Sequence, residues 1–348
     1  PMTPQERKRV LQAFHRALQD RPLDPADADD ARRYVRELHV SRREAGLEID
    51  PVARLAAQIE RETGSRVWLF TGNIGSGKST ELRRLRQSLR ESPEYLVFLT
   101  DAADYINLNQ KIEIGDFLIS VTAAFAEQAG HLLEDDVVAR GYWERIVDFL
   151  SNTAIEIREM SVGAGAEANV PGIARFSFKG DLKAALIRDP VVKQRIQAHL
   201  RGHLAALAED LELFRGQILD RLRGKYGDDI KVVLVIDSLE RLRGSGEASD
   251  DVFSSVRAMF SQYPDMLRLA DLQTVYSVAP YLIKLAPHLA GVFGAGTLCH
   301  LTTAHVFQAR SREPDAEGVA IIRKIVTRRY GQWEELISAE ALDQVIEA

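Results

Sequence analysis

One stretch limits the possible folds more than any other. The apolar run Arg66-Val67-Trp68-Leu69-Phe70-Thr71 leads into Gly72-Asn73-Ile74-Gly75-Ser76-Gly77-Lys78-Ser79-Thr80, and Leu82, Leu85 and Leu89 then recur at spacings of three and four. A short apolar run closed by glycine reads as a buried strand, and the leucine spacing as one face of a helix. The loop between them has the spacing G-x-x-x-x-G-K-[ST] that cradles phosphate. Its glycines allow the backbone to fold around an anion with successive N–H groups pointing inward. Lys78 is expected to reach the β- and γ-phosphates and the Ser79 hydroxyl to join a magnesium shell, while the helix N-terminus adds its positive end. Gly72, Asn73, Ile74, Gly75, Ser76, Gly77, Lys78, Ser79 and Thr80 are therefore the candidate nucleotide-binding residues.

Further strand-like runs follow at Leu96–Thr100, Val232–Asp237, Thr274–Val278 and Thr297–Leu301, with helical patterns between them. This alternation predicts an α/β protein with a parallel sheet covered by helices on both faces. Residues 3–45 read as helices. Thr3, Pro4 and Glu6 form a capping signal, Asp24-Pro25 repeats it, and Asp27, Asp29, Asp30, Arg32, Arg33, Arg36 and Glu37 read as a mixed-sign solvated face. Residues 116–160 and 189–223 read as long helical regions, and 316–348 as helical with a new start at Ser338. The glycine-rich stretch 161–180 reads as an insertion or loop, in which Phe176 and Phe178 alternate as in a short hairpin. The expected organisation is a helical segment at 1–45, a sheet domain at 46–310 with an insertion at 158–225, and a helical segment at 311–348.

A magnesium nucleotide site needs a carboxylate at the end of a neighbouring strand. Asp237 closes the run 232–236, so it is the expected metal carboxylate together with Ser79. Glu240, three residues later, is placed to orient a water, or else acts as a helix-start acid beside Arg241 and Arg243. Ser277 ends the next strand and is a candidate γ-phosphate sensor, or a plain strand-end serine. Arg241, Arg243, Arg257 and Arg268 flank the same edge, and position alone singles out none of them as a charge-neutralising finger. His199 and His203 share one helix face, but no glutamate follows the first and no third ligand stands out, so they read as structural. Tyr105, Phe117 and Phe125 read as core. Arg83, Arg84 and Arg86, and Arg323, Lys324, Arg328 and Arg329, read as solvated faces.

Composition removes other classes. Forty-five Lys and Arg against fifty-one Asp and Glu leave a net charge of −6, which offers no global basic field for nucleic acid. The single cysteine, Cys299, excludes an internal disulfide and a cysteine zinc site. No run is long enough for a membrane helix. A soluble, cytoplasmic protein is expected.

The loop Gly72–Ser79 and the segment Asp237-Ser238-Leu239-Glu240-Arg241 resemble the AAA+ superclass of P-loop NTPases. The acids stand three apart, as in its STAND and origin-recognition-like branches. Gly75-Ser76-Gly77-Lys78-Ser79-Thr80-Glu81-Leu82 is also similar to bacterial AAA-type ATPases of conflict and antiviral defence loci. The resemblance implies ATP and Mg2+ as cofactors and ATP hydrolysis, with Lys78, Asp237 and Glu240 as the catalytic set. It implies a nucleotide-controlled switch or assembly-driven machine, with a homo-oligomer or a protein as partner. The alternatives are a scaffold that binds nucleotide tightly and a DNA-associated loader. Ile337–Ala348 resembles the first helix of a C-terminal lid, so the chain is expected to be a truncated piece of a longer protein. It lacks the adjacent Asp-Glu pair of a typical motor, and Lys284 stands where a motor often has its arginine finger. Both departures argue against fast processive hydrolysis. No L-S-G-G-Q or N-K-x-D motif occurs, which argues against ABC ATPases and GTPases.

Overall fold

A computed structural model describes residues 3–18, 20–42, 48–161, 179–243, 249–308 and 310–347. The chain divides into two compact units. One comprises Pro1–Arg61, Gly72–Glu91 and Cys299–Ala348; the other comprises Glu62–Thr71 and Ser92–Leu298.

The second unit is organised by a sheet. Two short strands occur earlier in the chain, β1 (Ser41–Arg42) and β2 (Glu48–Ile49), and pair antiparallel. The main strands are β3 (Arg66–Thr71), β4 (Tyr95–Asp101), β5 (Lys231–Asp237), β6 (Leu272–Val278) and β7 (Leu298–His300), in spatial order β4-β5-β6-β3-β7. Successive pairs from β4 through β5 and β6 to β3 are parallel. Apolar residues on both faces of β5 are buried, as a continuous β-branched run in a parallel sheet requires. β3, β4, β5 and β6 each contain the stretch read from sequence, whereas β7 is shorter than the run Thr297–Leu301 and β1 falls within the segment read as helical. One expectation fails: Asp237 does not lie on a strand next to β3, the strand that leads into the glycine-rich loop. β6 stands between β3 and β5, so Ser277 occupies the neighbouring position instead.

The helices before the sheet and around the loop are α1 (Pro4–Ala17), α2 (Ala28–Arg33), α3 (Pro51–Arg61) and α4 (Lys78–Arg90). Next come α5 (Ile114–Leu133), α6 (Asp136–Ser161), α7 (Lys179–Arg188), α8 (Pro190–Leu200) and α9 (Leu204–Tyr226). Then follow α10 (Ser249–Gln262), α11 (Pro264–Leu267), α12 (Pro280–Leu285), α13 (Leu289–Phe293), α14 (Ala316–Arg329) and α15 (Ala339–Ile346). α5 lies on one face of the sheet. Phe125 meets Phe98 edge-on at 5.3 Å and Phe117 meets Tyr276 at 5.8 Å, which confirms these two phenylalanines as core. Val67, Leu69, Leu234, Ile236 and Leu272 complete that hydrophobic face.

The long helical regions are broken. Glu134, at φ +55°, ends α5 in the left-handed conformation, so 116–160 is two helices rather than one. Residues 201–203 separate α8 from α9. Near the N-terminus the capping box of Thr3 and Glu6 forms as expected. Asp24-Pro25 starts no helix. Asp27 caps α2 instead, accepting from the amides of Asp29 and Asp30. Nor is 27–37 a uniformly solvated face, because Asp30 is 3% exposed and holds Arg21. Within 161–180, Ser161 ends α6 and Lys179 begins α7; the suggested hairpin at Phe176 and Phe178 lies outside the described residues. Ser338 caps α15 through the amide of Ala341, as its sequence suggests.

Candidate functional site

The loop follows directly on Thr71, the last residue of β3. Gly75 and Gly77 lie at φ +77° and +85°, a region that costs a side chain dearly and glycine little. Gly77 is the N-cap of α4. Gly72 has no room for a Cβ, which would stand 3.0 Å from Ser76 Oγ and 3.2 Å from Leu301 Cβ. The Ser76 amide donates to the Asn73 carbonyl at 3.2 Å and tightens the turn. Lys78 is buried, and its Nζ donates to the carbonyls of Gly72 and Asn73 at 3.0 and 2.9 Å. The ammonium is thereby folded back over its own loop. Ser76 Oγ is buried with no hydrogen-bond partner among the described residues. Asn73, Ile74 and Gly75 are exposed, and Ser79 is half-buried at the start of α4. Thr80 is committed elsewhere: its hydroxyl accepts from the Leu23 amide at 3.0 Å.

A charged cluster supports α4 from behind. Glu81 is fully buried and accepts from the Tyr34 hydroxyl at 2.8 Å and from Arg84 Nε at 2.8 Å. Arg84 also forks onto Asp50 at 2.6 and 2.7 Å, and Arg36 reaches the same carboxylate at 3.1 Å. Burial pushes the Asp50 carboxyl up, but the Arg84 fork and the Ala53 amide outweigh it and hold the group below the usual carboxylate range. Burial, with Glu81 adding to it, pushes the Tyr34 hydroxyl up. Burial lowers His39, against the pull of Glu81.

In the sheet unit the strand ends form a polar row. Asp101 is the register partner of Asp237, and Ser277 follows Tyr276, the partner of Ile236. Asp237 is 8% exposed, and its Oδ1 accepts from the Ser238 amide at 2.7 Å. Ser238 lies at φ +68°, a strained position for a non-glycine residue that turns the chain sharply after the strand. The turn brings Glu240 back towards β6. Ser277 Oγ donates to Glu240 Oε2 at 2.7 Å and accepts from the Leu239 amide at 3.2 Å. The sequence-selected Glu240 and Ser277 thus meet, and Asp237 stands at the start of the turn that brings them together. Glu240 engages Ser277 through the shared strand edge, an outcome that neither reading of its sequence position contained.

Several residues escaped the sequence reading. Asp101 closes an apolar run just as Asp237 does, and that resemblance was the available signal. Tyr34, His39, Asp50 and Glu81 carried none, because long-range packing alone assembles them. The remaining candidates are structural. His199 and His203 stack at 4.8 Å, and His199 Nε2 lies 2.6 Å from Thr153 Oγ1. Among the described residues no group of three or more His, Cys, Asp or Glu could hold a metal. The basic clusters are largely paired: Arg84 as above, Arg323 with Asp343, and Lys324 with Glu37. Among the described residues no helix is long and apolar enough to cross a membrane. No protein-family profile, no curated protein and no solved structure matches this chain.

Proposed function

We propose that this chain is a magnesium-dependent ATP-binding protein of the P-loop class, resembling AAA+ ATPases, that hydrolyses ATP slowly and works as a nucleotide switch. The observation that carries the reading is the state of the loop. Two left-handed glycines, an ammonium drawn onto the loop's own carbonyls and a buried serine hydroxyl without a partner together form a cradle suited to a polyanion. The donor set fits the group it would hold.

Lys78 exchanges its carbonyl acceptors for phosphate oxygens, so its charge is used only when anion is present. Magnesium, when bound, would supply charge neutralisation for the phosphates. By their place in the sequence pattern, the Ser79 hydroxyl and the Asp237 carboxylate would be the residues to contribute to its shell. Glu240 would orient the attacking water and accept its proton, with the Ser277 hydroxyl competing for the same carboxylate.

Isothermal calorimetry with ATP and magnesium tests the reading. Heat of binding is expected for the unaltered protein and none for Lys78→Ala; equal binding by both would overturn it. The Ser277–Glu240 bond favours a second reading, a scaffold that holds nucleotide and scarcely turns it over. Single-turnover phosphate release within minutes selects the enzyme, and persistent bound nucleotide selects the scaffold.

A further inference from the structure

His39 lies in neither the loop nor the helix after it, yet it faces both. It follows a single 3-10 turn, Arg36–Leu38, and is 3% exposed. One ring nitrogen, Nδ1, lies 2.7 Å from the carbonyl of Thr302. A carbonyl only accepts, so Nδ1 carries the proton and Nε2 is left with its lone pair in the neutral ring. Two more bonds fix the same pair of segments. The Thr302 hydroxyl donates to the His39 carbonyl at 3.3 Å, and the Ala304 amide donates to the Leu38 carbonyl at 2.9 Å.

The other edge of the ring backs the loop. Nε2 stands 3.8 Å from Glu81 Oε1, and a Cβ built on Gly77 would lie 3.4 Å from it. The ring therefore packs beside the glycine whose left-handed backbone begins α4. The loop's other end is closed by the same downstream segment, since Leu301 fills the space beside Gly72. Farther along, the His305 carbonyl presses on Gly318 in the first turn of α14, where a Cβ would come within 1.8 Å.

We propose that His39 is a positioning residue for the phosphate loop: gripped by the Thr302 carbonyl, its ring backs Gly77 and makes the loop's anion-receptive form and segment 301–305 depend on each other. The inference rests on the nucleotide-binding reading above. Linkage makes the dependence reciprocal: whatever steadies the loop steadies the segment by the same free energy.

The test combines calorimetry and hydrogen exchange on the full chain, with ATP and magnesium as the probe. His39→Ala removes ring and donor together, and it is expected to weaken binding about tenfold. His39→Gln keeps an N–H donor for the Thr302 carbonyl and is expected to stay within about threefold of the unaltered protein. In the unaltered protein, nucleotide is expected to slow amide exchange in the peptide covering 301–306; in His39→Ala that slowing is lost while α4 still responds. Equal affinities for His39→Ala and the unaltered protein would overturn the proposal, as would equal losses in the Ala and Gln variants. Segment 301–306 remaining indifferent to nucleotide in the unaltered protein would overturn it without recourse to any variant. If the unaltered protein gives no heat at all, it is the nucleotide reading that fails, and this inference falls with it.

Discussion

Asp30 shows how one buried carboxylate can set the acid limit of its unit. The Arg21 guanidinium holds it, against the cost of burial, and with the Asp24 amide brings its carboxyl down to about 2. A depressed folded value means the stabilisation is complete above the ordinary carboxylate range and is lost as pH falls from about 4 towards 2. Because half of the Arg21 side chain is exposed, solvent screening holds the linkage to about 1 kcal/mol. Asp30→Asn is therefore expected to lower stability near neutrality and to flatten the acid limb of a denaturation series; an unchanged limb would assign acid loss to other groups. At the other polar centre, the prediction concerns chemistry. Glu240→Gln is expected to reduce single-turnover ATP hydrolysis about a hundredfold and leave nucleotide affinity in place. Ser277→Ala, which removes the hydroxyl that donates to Glu240 Oε2, is expected to speed the same step; a slower step would show that the serine positions Glu240 rather than restraining it. The turn Gly72–Lys78 was legible at this scale as a glycine-rich loop between strand and helix, because left-handed backbone at Gly75 and Gly77 calls for glycine. Asp30 was not. Amid acids and bases its fate depended on Arg21, nine residues earlier, and nothing local marks a buried partner.

At the scale of elements, strands were easier to place than their neighbours. Runs such as 232–236 announce a buried strand by composition, but parallel strands are joined by long crossovers, so sequence order leaves spatial order open. That is why β6 could separate the loop's strand from the acidic one without any signal in either. Helix breaks were hidden for a different reason. Glu134 is an ordinary helix former and ends α5 only because its backbone turns left-handed. Gly318 offers a direct test of element packing. Any side chain there would collide with the His305 carbonyl, so Gly318→Ala is expected to cost about 2 kcal/mol or more in urea denaturation. By contrast, Arg323→Ala is expected to leave the urea midpoint nearly unchanged, since the Arg323–Asp343 pair joining α14 to α15 is substantially exposed.

The whole molecule is two interleaved units, one of them gathered from three separate stretches of chain. Ligand binding to the folded state alone stabilises it by mass action. At about a hundred times the dissociation constant, ATP with magnesium is expected to add about 2.7 kcal/mol, read as a raised melting temperature, and Lys78→Ala is expected to show no rise. The bond from His39 to Thr302 spans 263 positions of sequence. A ribosome must therefore add some 263 further residues before this histidine can meet its acceptor. Until then the glycine loop, though long since synthesised, lacks the ring that packs beside Gly77 and must hold its left-handed turns without it.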